Sequence, residues 1–180
     1  MKYFLILFSI SISMAQQTET QLYDVIEKYD NIEIRYYPPA AKVMSKGEIG
    51  KNSNFRNLFN YISGSNSNNE KISMTTPVYM KNDKENQIME FVLPKKFNDN
   101  QIPKPDNLNL EVYKSKEAIF ASIRYTGYND NEKQLLYTEK LLTKLKDLGR
   151  NIIGTPILLS YDAPYKFYKR RNEILIELSN

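Results

Sequence analysis

The two halves of this chain read alike when one is slid over the other by 78 positions, and no other feature restricts the fold as much. Ile32-Glu33-Ile34 falls on Leu110-Glu111-Val112 and Ala40 on Ala118, while Thr76-Pro77 falls on Thr155-Pro156 at a shift of 79. Within each half the hydrophobic period changes in the same order. Ile32, Ile34 and Tyr36 alternate with Glu33 and Arg35, and Leu108, Leu110 and Val112 alternate likewise, the period of a half-buried strand. Second strands follow at Ala41 to Lys46 and at Ile119 to Tyr125. Next comes a helix in each half. Phe55, Leu58, Phe59 and Ile62 make one apolar stripe, with Ser53 or Asn54 to cap its start and Gly64 its end. Leu141, Leu142, Leu145 and Leu148 make the other, after Asn129-Asp130 and before Gly149. Two more strands complete each half: Ile72 to Met80 with Met89 to Leu93, and Ile152 to Tyr161 with Ile174 to Leu178. Each unit is thus β-β-α-β-β, over about residues 23–94 and 106–178. One such unit leaves a sheet face bare, so the two copies are expected to pack together. The predicted class is α+β, a distorted antiparallel β-barrel with two helices packed outside.

Gly64 to Glu70 and Asn82 to Asn86 read as exposed loops and Pro94 to Pro105 as the linker between copies. At 180 residues the chain suits a single domain, residues 16–180, after a signal peptide over residues 1–15. That leader has Lys2, an apolar run from Tyr3 to Ile12, and small residues in Ser13-Met14-Ala15. The run is shorter than the roughly 20 residues that span a bilayer. A secreted or periplasmic location is therefore expected, without stable membrane insertion once the signal is cleaved.

The chain contains neither histidine nor cysteine. This removes the usual nucleophilic triads, Cys-His dyads, zinc sites, disulfides and a lipid-modified cysteine. The six glycines form no phosphate-binding loop. Net charge is +4 from 25 basic and 21 acidic residues spread along the chain, so nucleic acid is not an expected partner. Asp24, Glu27, Glu33, Glu90, Glu111 and Glu173 could serve acid–base work or a hard cation, but no spacing brings two together. Asn98-Asp99-Asn100 and Asn129-Asp130-Asn131-Glu132 fit turns and a helix start better than a calcium loop. No catalytic residue and no metal ligand is assigned.

Two segments stand out as candidate ligand surfaces. The first helix stripe carries Phe55 and Phe59 where the second carries only leucines; it reads either as core or as one wall of an apolar groove for a flat ligand. The eleven residues Tyr161 to Arg171 hold four aromatics and four cations. They read either as a surface hairpin whose tyrosines cap the sheet, or as an apolar plate with cations for ligand carboxylates.

Lys71-Ile72-Ser73-Met74-Thr75-Thr76-Pro77-Val78, Phe91-Val92-Leu93-Pro94, and Tyr161-Asp162-Ala163-Pro164 with Arg170-Arg171-Asn172-Glu173-Ile174 resemble, in order and spacing, the signature segments of the SOUL haem-binding family. The resemblance covers about Tyr23 to Leu178. It implies a distorted barrel of two β-α-β units, similar to the ligand-binding domain of some bacterial multidrug-responsive regulators. It also implies haem or another porphyrin bound without turnover in a shallow apolar groove between the first helix and the loop before the last strand. Carried onto this chain, the helix side is Phe55, Phe59 and Ile62, and the loop side is Tyr165, Lys166, Phe167 and Tyr168, with Lys166 the propionate partner. Asn60 stands where a basic residue is often found. Histidine ligation is impossible here, so axial donors reduce to Tyr, Met or Lys, with Tyr165 and Tyr168 nearest. The expectation is a monomeric, non-enzymatic tetrapyrrole binder that tolerates metal-free porphyrins. Two alternatives stay open: a tetrapyrrole-modifying enzyme that removes the metal with Glu173 or Asp162 as general acid, and a general hydrophobic-ligand or protein-interaction module on the same fold.

Overall fold

The computed structural model describes residues 18–49, 53–83 and 86–179; the expected signal peptide lies outside them. In chain order the elements are β1 (Glu19–Thr20), β2 (Asp24–Tyr29), β3 (Ile32–Tyr37), β4 (Ala41–Glu48), α1 (Ser53–Ile62), β5 (Thr75–Thr76), β6 (Val78–Asp83) and β7 (Asn86–Val92), then α2 (Lys96–Asp99), β8 (Leu110–Lys114), β9 (Ala118–Thr126), α3 (Asn131–Asp147), β10 (Ile152–Ser160) and β11 (Arg171–Leu178). β1 and β5 form a short parallel pair. The other nine strands form one antiparallel sheet in the order β2-β3-β9-β11-β10-β6-β7-β4-β8. The α+β class and the antiparallel sheet agree with the sequence reading.

The barrel does not close. β2 and β8 stand at opposite edges, and no ladder joins them among the described residues. The sheet nevertheless curls strongly. β8 and β9 lie six strand places apart, about 29 Å in a flat sheet, yet residues 115–117 alone connect them, a reach of about 14 Å. β3 and β4, also six places apart, are joined by residues 38–40 alone. The strand order reads the same from β3 and from β8 when β3, β4, β6 and β7 are exchanged with β8, β9, β10 and β11. Register follows suit: Ile32 pairs with Ile123, and Leu110 pairs with Ser45, positions related by the same shift of 78.

Both long helices lie on the convex face, α1 against β4 and β7 and α3 against β9 and β11. Under α1 sit Ala41, Val43, Phe91 and Leu110; under α3 sit Ile34, Ala121, Ile123, Ile174 and Ile176. Asp130 caps α3 by accepting the Lys133 N–H at 2.8 Å. Alternate residues of the same strands face inward, where Tyr37, Tyr79, Val92, Leu159 and Leu175 form a third cluster with Tyr23, Phe120 and Tyr161.

Local departures have local causes. The strand expected over Ile72 to Met80 is split at Pro77, which has no N–H to donate, so β5 and β6 belong to different sheets. Leu108 lies before β8 and is exposed, not strand-bound. A third, short helix, α2, interrupts the expected linker and buries Phe97. The hairpin ends expected as a loop over Asn82 to Asn86 are strand residues up to Asp83 and again from Asn86.

Candidate functional site

In α1 the buried residues are Asn54, Leu58, Tyr61 and Ile62. Ile62, expected on the groove side, belongs to the core at 6% exposure. The helix is turned because Tyr61 reaches inward to donate its hydroxyl to the Pro103 carbonyl at 2.9 Å. Asn54 is buried at no polar loss: its Oδ1 accepts from Ser45 Oγ at 2.9 Å and its amide donates to the Gln87 carbonyl at 2.8 Å. This rotation leaves Phe55 at 41% and Phe59 at 49% exposure, their rings 6.0 Å apart and 15° from parallel. Phe55 rests edge-on against Phe91 at 5.5 Å.

Phe91 belongs to a cross-strand row, Val43-Phe91-Val78-Ser160, so Ser160 lies two strands from it, about 10 Å away. The aromatic loop leaves the sheet immediately after Ser160 and rejoins it at Arg171. The helix and the loop thus flank one row at the same end of the strands. Tyr165, Phe167 and Tyr168 are 65–87% exposed. Such apolar area in one short loop is unusual for a surface that covers nothing.

The loop neck is pinned by charge. Arg170 is buried and donates from Nη1 to the carbonyls of Ala163, Pro164 and Lys166 at 3.0–3.1 Å. Asp162 accepts the Arg171 N–H at 2.6 Å and Lys166 Nζ at 2.5 Å. Burial alone would raise the Asp162 carboxyl, but these two donors hold it below its ordinary range. Lys166, expected to be a free propionate partner, is therefore already paired, though its side chain stays half exposed.

Glu173, beside the loop, is fully buried. It accepts from Arg35 Nη1 at 2.6 Å and Nη2 at 3.2 Å, from Arg171 Nη2 at 2.8 Å, and from Tyr161 Oη at 3.0 Å. Burial pushes this carboxyl up, and the two guanidinium groups more than reverse the effect, so its pKa lies below the ordinary value. Arg35 in turn pairs with Glu33 at 2.7 Å and faces the Tyr23 ring at 4.2 Å. The sequence offered these carboxylates singly; a second buried pair, Lys42 with Glu90 at 3.1 Å, was equally invisible because 48 residues separate its members. Among the described residues no three of His, Cys, Asp and Glu gather as a metal site.

The rings of Phe55 and Phe59 on α1 and of Tyr165, Phe167 and Tyr168 on the loop are exposed apolar surface, while Lys166 is engaged by Asp162 and Ile62 is in the core. Solved structures of similar fold include the C-terminal domain of EcmrR, at TM-score 0.59 and 13% identity over 88% of this chain and 99% of that one. A hydrolase from Listeria innocua matches at TM-score 0.60 and 11% identity, over 86% and 94%. At these identities the likeness is one of fold alone. No curated protein sequence matches the chain. The family model described as SOUL heme-binding protein matches residues 18–177, nearly the whole described chain, and the chain belongs to that family.

Proposed function

We propose that this protein binds haem or a related tetrapyrrole on the apolar surface formed by Phe55 and Phe59 of α1 and Tyr165, Phe167 and Tyr168 of the loop, without histidine ligation and without turnover, after export by its signal peptide. Membership of the family supports the ligand class. The observation that carries the site is the pair of near-parallel exposed phenylalanines on the strand row from which an aromatic loop departs. With no imidazole in the chain, affinity rests on apolar contact and on charge pairing with propionates. Asp162 and Glu173 are both held as carboxylates by cationic partners, which makes either a poor proton donor for metal removal.

Titration of the chain with haemin and with metal-free protoporphyrin tests this reading. Similar affinities are expected for the two, with no ligand-type shift of the haem spectrum. Phe59→Asp and Phe167→Asp each place a charge against the ring and are expected to weaken binding by about tenfold or more. Unchanged binding in both variants removes the site, and multiple turnovers of either porphyrin remove the non-enzymatic reading. Mass measurement of exported protein tests the signal peptide; a retained leader sinks that part.

A further inference from the structure

The concave face holds an open cavity of about 300 Å³, away from α1 and the aromatic loop, with Lys42, Tyr79, Glu90, Tyr113, Phe120 and Ile157 in its walls. Register brings these groups together: Tyr113 lies opposite Lys42 on one side of β4, and Glu90 lies opposite Tyr79 on the other side of β7. Lys42 Nζ donates to Glu90 Oε2 at 3.1 Å and sits 3.6 Å from the centre of the Tyr79 ring. Lys81 Nζ stands 3.8 Å from the other Glu90 oxygen. Burial lowers the pKa of the Lys42 amine; Glu90 opposes the shift and Lys81 adds to it. Burial raises both phenols, Tyr79 and Tyr113.

A buried ion pair contributes little stability compared with apolar side chains of the same size, because both charges lose their water. This one also faces an opening of ligand size. An amine fixed on a strand and touching a carboxylate supplies the nucleophile and the proton carrier that carbonyl condensation uses, and the phenols and apolar walls give the carbonyl compound a surface to rest on.

We propose that Lys42 condenses with small aromatic aldehydes that enter this cavity, with Glu90 carrying the proton. The Lys42 ammonium gives a proton to the Glu90 carboxylate, and the free amine adds to the carbonyl carbon, forming a C–N bond while a proton passes from nitrogen to the carbonyl oxygen. Glu90 then protonates the hydroxyl, which leaves as water, and an iminium remains beside the regenerated carboxylate. Charge at the floor is the same before and after, so the pairing that stabilises the ammonium also stabilises the iminium. The Phe120, Ile157, Tyr79 and Tyr113 walls favour a flat aromatic group over a polar aldehyde.

The test is incubation of the full chain with benzaldehyde and cyanoborohydride, which reduces iminium ions in place, followed by peptide mapping of every lysine. Lys42 is expected to be benzylated about tenfold faster than Lys81 or Lys116 at the same mouth, because the apolar walls hold the aldehyde against its amine and Glu90 carries the proton. Glu90→Gln is expected to reduce Lys42 labelling to the rate of surface lysines. A purely structural ion pair makes Lys42 the slowest lysine in the parent chain, and that result overturns the proposal whatever the variant does. So does a folded Glu90→Gln protein that labels at the parental rate.

Discussion

Arg35 and Glu173, 138 residues apart in the chain, meet as a buried bidentate pair that crosses β9 and ties β3 to β11. Ser122 of β9 donates to the same carboxylate at 3.3 Å, so three adjacent strands share one charge. Removing Arg35 leaves Glu173 buried with Arg171 as its remaining cation. Arg35→Met is expected to cost about 3 kcal/mol, and the double variant Arg35→Met with Glu173→Leu less than the sum of the single changes, because each single change already breaks the pair that the other would break. Urea denaturation of the four proteins measures this; strict additivity contradicts the coupling.

The same carboxylate makes stability depend on acid. Its folded pKa is below the ordinary 4.5, so its contribution is complete above that value and is lost as pH falls toward the folded pKa. Glu173→Gln is expected to be less stable than the parent at neutral pH, and to lose less on acidification from about 4.5 downward. Urea midpoints at pH 7, 5, 4 and 3 read both effects; parallel curves contradict the assignment.

Gly47 on β4 permits a close approach. A Cβ there meets Asn54 Oδ1 at 2.7 Å, and Asn54 is fixed by Ser45 and Gln87 and cannot swing away freely. Gly47→Ala is expected to destabilise by about 1–3 kcal/mol, through a displaced and unsatisfied buried amide. A change within experimental error shows that α1 shifts instead.

The aromatic loop depends on its neck for order. Arg170→Ala removes the donor shared by three loop carbonyls, and Asp162→Ala frees both Lys166 and the Arg171 N–H. Both variants are expected to be cut by trypsin at Lys166 and Lys169 faster than the parent, with Arg170→Ala the faster. Fraying confined to a loop leaves the core intact, so Asp162→Ala is expected to change global stability by about 1 kcal/mol or less. Unchanged cleavage rates in both variants contradict the pinning.

Much of the fold was legible because periodicity is a local record. The strands at Ile32, Ala41, Ile119 and Ile174 and the helix ending at Gly149 lie where alternation and capping put them. The helix stripe was legible only in part. Counting apolar letters put Phe55, Leu58, Phe59 and Ile62 on one stripe, to be read as core or as groove wall, whereas the buried face joins Leu58 and Ile62 with Tyr61 and Asn54, whose polar atoms are satisfied by hydrogen bonds. Ile62 then lies in the core, and the two phenylalanines are left at the surface.

The sequence alone determined the α+β class, the position of the two long helices and the absence of imidazole and thiolate chemistry, since each follows from residue identity or short spacing. Tertiary structure decided that the sheet curls without closing, that Lys166 is engaged by Asp162, and that Arg35 meets Glu173 and Lys42 meets Glu90. Alternation tells which face of its own strand a side chain occupies. Which charges meet across that face depends on strand order and curvature, set by contacts between residues tens of positions apart that no local pattern records.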